Sequence, residues 1–179
     1  MKKYPDIINI FKKHGCADHK FIKPKSIVVS QWVRMKCMFG CKGFGKSLSC
    51  PPNTPSIPEC REFFSEFKDA VMFRFTTKVD KPEDRKPWSE KINEDLLTVE
   101  REVFLLGYYK TFMLLINECR RCVKCSGKKE LCAHPNKLRP MPEAMGVDLF
   151  ATARNNGYPI EVLKDYDESM NRYAILMVQ

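Results

Sequence analysis

Apolar residues run nearly unbroken at four places in the chain, over residues 27–33, 71–75, 112–116 and 173–178. Runs this short, bounded by polar segments, predict strands buried on both faces. Between the second and third runs, Trp88, Ile92, Leu96, Val99, Val103 and Leu106 recur at steps of three or four, which predicts a long amphipathic helix. Residues 142–156 predict another, with Gly157 as its stop and Pro159 just beyond. A shorter helix begins at Ser56, where Ser56 and Glu59 form a capping-box pair, and it sets Cys60, Phe63, Phe64 and Phe67 on one face.

The order strand, helix, strand, loop, helix, strand predicts right-handed parallel crossovers. The expected fold is therefore α/β: a mostly parallel or mixed sheet of about four strands, helices on both faces, and two cysteine-rich metal-binding loops. Both loops are expected to leave the carboxyl end of a strand, where open α/β sheets bind ligands, so the two sites would be neighbours. With 179 residues, the chain fits a single metal-binding domain over residues 26–179 after an N-terminal arm over residues 1–25.

Eight of the nine cysteines fall into two groups: Cys37, Cys41, Cys50 and Cys60, then Cys119, Cys122, Cys125 and Cys132. Cys119, Cys122 and Cys125 stand at successive three-residue steps, which lets one loop wrap the corner of an iron–sulfur cube, and Cys132 supplies a fourth thiolate. Zinc is the alternative, with Cys122, Cys125, Cys132 and His134 as a Cys3His set. In the first group, Cys60 has two readings, a ligand in the first turn of its helix or a core residue beside three phenylalanines. The ninth, Cys16, lies near His14 and His19 and reads as a free thiol.

The formal charge is +9. Eight thiolates and two cluster cores of about +2 each would bring it to about +5 in the loaded protein. Lys36, Lys42 and Lys46 surround the first group, and Arg120, Arg121, Lys124, Lys128 and Lys129 crowd the second. Their expected work is to offset an anionic cluster, with an acidic redox partner as a secondary role; no aromatic residues interleave those of the second group as a nucleic-acid groove would require. No apolar run approaches the ~18 residues of a membrane span. The stretch at Ile7, Ile8, Ile10 and Phe11 is broken by Asn9 and ended by Lys12 and Lys13, so no membrane partner or secretion signal is expected, and the location read from the chain is the cytoplasm.

Gly40 to Ser47 satisfies the phosphate-loop pattern G-x4-G-K-S, but Cys50-Pro51-Pro52 arrives within one turn and would stop the helix such a loop needs. No nucleotide triphosphate is expected there. Radical chemistry with S-adenosylmethionine is set aside on spacing, because Cys41 is followed by Lys42, Gly43 and Phe44 rather than by its three-cysteine pattern.

The chain resembles a family of predicted metal-binding proteins common in anaerobic bacteria and archaea, domain of unknown function 2284. The matching residues are Trp32-Val33-Arg34-Met35-Lys36-Cys37, Cys41, Cys50-Pro51-Pro52, the run from Cys119 through Cys132-Ala133-His134-Pro135, and the segment from Arg139 to Asp148, in which Pro142 is a departure. The resemblance spans nearly all of residues 27–178 and implies metal binding by iron–sulfur clusters, without a reaction attached.

Three functions stay open. The leading one is a cytoplasmic protein with two [4Fe–4S] clusters, held by the two cysteine quartets, that passes single electrons to or from a partner enzyme. An iron–sulfur enzyme or accessory reductase with an open cluster site, its Cys60 free of metal, is the second. A zinc-stapled binding module with a basic surface for nucleic acid is the third. No general acid or base is assigned; His134, Glu143 and Asp148 read as a solvated loop histidine and ordinary helix acids.

Overall fold

The computed structural model describes residues 4–165 and 167–179. Its helices are α1 (Pro5–Lys13), α2 (Gln31–Gly40), α3 (Ile57–Ser65), α4 (Arg85–Leu105) and α5 (Leu149–Asn155), and its strands are β1 (His19–Ile22), β2 (Asp69–Thr77), β3 (Thr111–Leu114) and β4 (Met170–Val178). The strands make one sheet in the order β1-β2-β4-β3, and each neighbouring pair is antiparallel.

The α/β class is present, but the expected parallel or mixed sheet is not. Along β4, Ala174, Leu176 and Val178 join a core with α1 and α4, while Tyr173, Ile175 and Met177 join a second core with α3 and α5. An unbroken apolar run thus reports burial on both faces and says nothing of strand direction. β2 and β3 both oppose β4, so they run the same way, and α4 does connect two like-directed strands. The antiparallel β4 is inserted between them.

Residues 27–33 do not form the expected strand. Val29 makes a lone antiparallel bridge with Val147, and beyond Ser30 the chain turns into α2. Gln31, Arg34, Met35 and Lys36 are good helix formers, and they outweigh the short apolar run. Within residues 1–25, read as an arm, Pro5 opens α1, which buries Ile7 and Phe11 completely, and β1 pairs with β2 from His19–Phe73 to Ile22–Ala70.

The helix expected over 142–156 is split at Gly146. A 3-10 turn runs over Pro142–Met145 and ends where Gly146 adopts φ 74°. The chain then lies against residues 28–30, with Ser30 N–H donating to the Gly146 carbonyl (2.8 Å) and Asp148 N–H to that of Val28 (2.7 Å). Asp148 next caps α5 by accepting from Ala151 N–H (2.9 Å). By contrast α3 has the full capping box of Ser56 and Glu59, and α4 begins and ends close to the expected bounds. Among the described residues no helix is long and apolar enough to cross a membrane.

A Cβ at Gly146 would collide with Ile57 Cδ1, and its positive φ disfavours any L side chain. Gly146→Ala is expected to lose about 1–3 kcal/mol of stability, measured by urea unfolding; an unchanged midpoint would mean that this junction tolerates a side chain.

Candidate metal centres

The second cysteine loop follows β3, as expected, and α4 anchors it at both ends. Asn93 accepts from Ile116 N–H (3.2 Å), and Glu94 binds Arg121 and Lys137 (3.1 Å to Lys137). Glu100, buried on the same helix, accepts from Met113 N–H (2.9 Å) and takes both hydrogen bonds from Arg139 Nε (2.9 and 3.0 Å). Burial raises the Glu94 pKa, but the hydrogen bonds from Arg121 and Lys137 outweigh it and hold the carboxylate below its usual range. Arg120 pairs in turn with Glu118 (2.5 Å). Two of the bases expected to offset a cluster are therefore occupied by carboxylates.

Inside this frame Cys119, Cys122, Cys125 and Cys132 line one cavity of about 180 Å³, together with His134 and with Ser47 and Leu48 from the first loop. All four cysteines expected at this site share one hollow.

The first loop leaves α2 rather than a strand, which corrects the expected position. Cys37 lies in the last turn of α2 and Cys41 follows it, with Cys41 N–H donating to the Cys37 carbonyl (3.3 Å). Gly43 N–H donates to Cys41 Sγ (3.3 Å), and Gly45 N–H to the Pro51 carbonyl (2.9 Å), so the glycine-rich stretch folds into turns around the sulfur. Cys37, Cys41 and Cys50 lie within one another's electrostatic field. Burial is the main force on two of them: it raises the Cys37 thiol and pushes that of Cys50 up to about 11.

Cys60 is not brought to this group. It is fully buried on α3 in the apolar core beside Phe64, and its thiol points to the Pro55 carbonyl (3.5 Å). The charged groups that act on it are Arg34 and Glu59, not another cysteine. Cys16 is buried beneath α1, where desolvation pushes its thiol up to about 12. His14 bonds Glu102 (3.0 Å), and His19 donates to the Cys16 carbonyl (2.9 Å).

Three features went unread in the sequence. Ser47 and Ser49, 8% and 2% exposed, join the two loops: Ser49 Oγ accepts from Cys119 N–H (2.9 Å), Ser47 Oγ reaches the Cys119 carbonyl (3.4 Å), and the two hydroxyls meet at 3.1 Å. Ser47 ends the phosphate-loop look-alike, where attention falls on Lys46. Arg34 comes second, donating to the carbonyls of Pro55 (2.9 Å) and Ala144 (3.1 Å) within the field of Cys37, while its buried Nε has no hydrogen-bond partner among the described residues. The third is a charged group of Glu118, Glu143 and Arg172, which interact with one another from distant parts of the chain. Glu118 also acts on Cys50 and Glu143 on Cys37. Asp148, by contrast, is a helix cap whose other oxygen accepts from the Trp32 indole (3.2 Å).

Among the described residues no three His, Cys, Asp or Glu side chains are close enough together to hold one metal ion. The fold and the two cysteine loops nevertheless define a class. The chain belongs to the family described as predicted metal-binding protein (DUF2284), whose model matches residues 20–178. No curated protein and no solved structure matches it.

Ser49→Ala leaves the Cys119 N–H without its acceptor. The expected result is a loss of about 1–3 kcal/mol in urea unfolding and faster hydrogen exchange at Cys119; wild-type exchange there would mean that the loops are held by other contacts.

Proposed function

We propose that this chain holds two [4Fe–4S] clusters in the cytoplasm and passes single electrons between a low-potential donor and a partner enzyme. One observation carries the reading: the two cysteine loops are hydrogen-bonded to each other through Ser49 and Cys119, so their sites are neighbours. Adjacent redox centres exchange electrons without a long gap between them. Cys119, Cys122, Cys125 and Cys132 would hold one cluster, and Cys37, Cys41 and Cys50, with Cys60 as the candidate fourth ligand, the other.

The donor set fits such a group. Soft thiolates favour iron–sulfur clusters or zinc, and the four cysteines of the second loop surround a cavity rather than a point. Arg34, a half-buried cation within the field of Cys37, keeps its buried Nε–H without a partner among the described residues, which suits an anionic group on that sulfur. When bound, a cluster supplies one-electron chemistry. The chain's own part is to hold the thiolates, to offset their charge and to present a face to the partner. α2 offers that face: Trp32, Met35, Met38 and Phe39 are exposed beside Cys37, and Phe39 is 80% exposed. Lys36, Lys42 and Lys46 lie near them in exposed positions, which fits an acidic partner surface.

A second reading, an enzyme or accessory reductase with an open iron position, is favoured by the placement of Cys60. With Cys60 in the apolar core, the first site has three thiolates.

The deciding experiment measures iron, zinc and acid-labile sulfide per chain on protein purified without oxygen, for the wild type and Cys60→Ala. About eight iron and eight sulfide are expected in the wild type. Iron that stays at that level in Cys60→Ala selects the open site, and loss of about half selects four thiolates. Zinc without sulfide would contradict both and favour a zinc-stapled binding module.

A further inference from the structure

β4 outruns β3. It pairs with β2 over its whole length, Met170 to Val178, but with β3 only from Ile175 to Val178. On that side residues 170–174 have no strand beside them among the described residues. A cavity of about 480 Å³ opens there, walled by Leu149 and Phe150 of α5, by Ile160 and by Tyr173. Its size falls within the range of about 300–1,000 Å³ usual for small-molecule sites, and it combines an apolar wall with charged and polar side chains.

Among the charged side chains that line this cavity are Arg172 and Glu143. They act on each other electrostatically, yet no hydrogen bond joins them, and the Arg172 guanidinium has no hydrogen-bond partner among the described residues. The Glu143 carboxylate is bonded only to its own backbone N–H. A guanidinium has five N–H donors and no acceptor, so one drawn from water without partners is under-satisfied, and the group that best fits its planar fork is a carboxylate. The other carboxylates at the cavity are engaged elsewhere. Glu161 pairs with Arg154 (3.2 Å), and Glu168 accepts from the Lys164 N–H (3.3 Å). Glu143 also lies in the field of Cys37, so the cavity adjoins the first cysteine site.

We propose that this cavity binds a small organic carboxylate with an apolar body, its carboxyl group held by Arg172 beside the Cys37, Cys41 and Cys50 site. Its link to redox chemistry rests on the open-site reading; the binding itself does not.

The test is calorimetric titration of the full chain, purified without oxygen, with benzoate and with benzyl alcohol as the uncharged match. Saturable one-to-one binding of benzoate is expected, with the alcohol weaker. Arg172→Gln should weaken benzoate by about tenfold or more, and Arg172→Lys by less, because charge is kept while the fork is lost. Val162→Trp, at an exposed wall position, should also weaken it without touching the arginine. Absence of saturable benzoate binding, or equal affinity in Arg172→Gln, would overturn the site. Benzoate should also shift the reduced protein's EPR signal. Binding without that shift upholds the carboxylate site and removes its link to an open iron. Iron and sulfide at the expected level with no benzoate binding would sink this proposal and leave the cluster reading standing.

Discussion

Two buried serine hydroxyls join the two cysteine loops of this protein. Ser47 and Ser49 belong to the first cysteine loop, and their partners are the backbone N–H and carbonyl of Cys119, the first cysteine of the second. A buried N–H or C=O left without a partner is costly, so the contact aligns the two loops as well as attracting them. α4 provides the other fixed reference. Asn93, Glu94 and Glu100 seize the second loop at residues 116, 121, 137 and 139, so a long stretch with little regular structure is pinned from one helix. Without the serine contact the Cys119 N–H would lose its acceptor and the two loops their direct hydrogen bond.

Elements whose signal is local were legible in the chain. The capping box of α3, the apolar spacing of α4 and three of the four strands follow from their own residues. Strand direction did not follow, because β4 is apolar on both faces for reasons of burial alone, and an antiparallel strand between two layers of helices reads like a parallel one. Residues 142–156 look helical until Ile57, far away in sequence, is packed against Gly146. β1, whose four residues include two polar ones, is stabilised by pairing with β2 and offers no apolar run to find.

The site was legible to the same depth. Cysteine spacing marks both loops as candidates, and the family match is to predicted metal-binding proteins as a whole, without a residue assigned. Spacing could not separate Cys60 from its group, since its distance along the chain resembles a ligand's while its three-dimensional neighbours are phenylalanine and other core residues. Charge was harder still. Arg120 and Arg121 look like counter-charges to a cluster but are spent on Glu118 and Glu94, whereas Arg34, three residues before Cys37, meets the Pro55 and Ala144 carbonyls only through folding, and Arg172 has no local signal.

If the two sites are neighbours and both hold clusters, their unpaired electrons must interact. The most direct measurement is the EPR spectrum of fully dithionite-reduced protein, compared with a variant whose second loop carries Cys122→Ser and Cys125→Ser. The account predicts a broadened, split spectrum in the wild type that collapses to one simple signal in the variant. Two sharp signals that merely add, with one removed and the other unchanged, would contradict it.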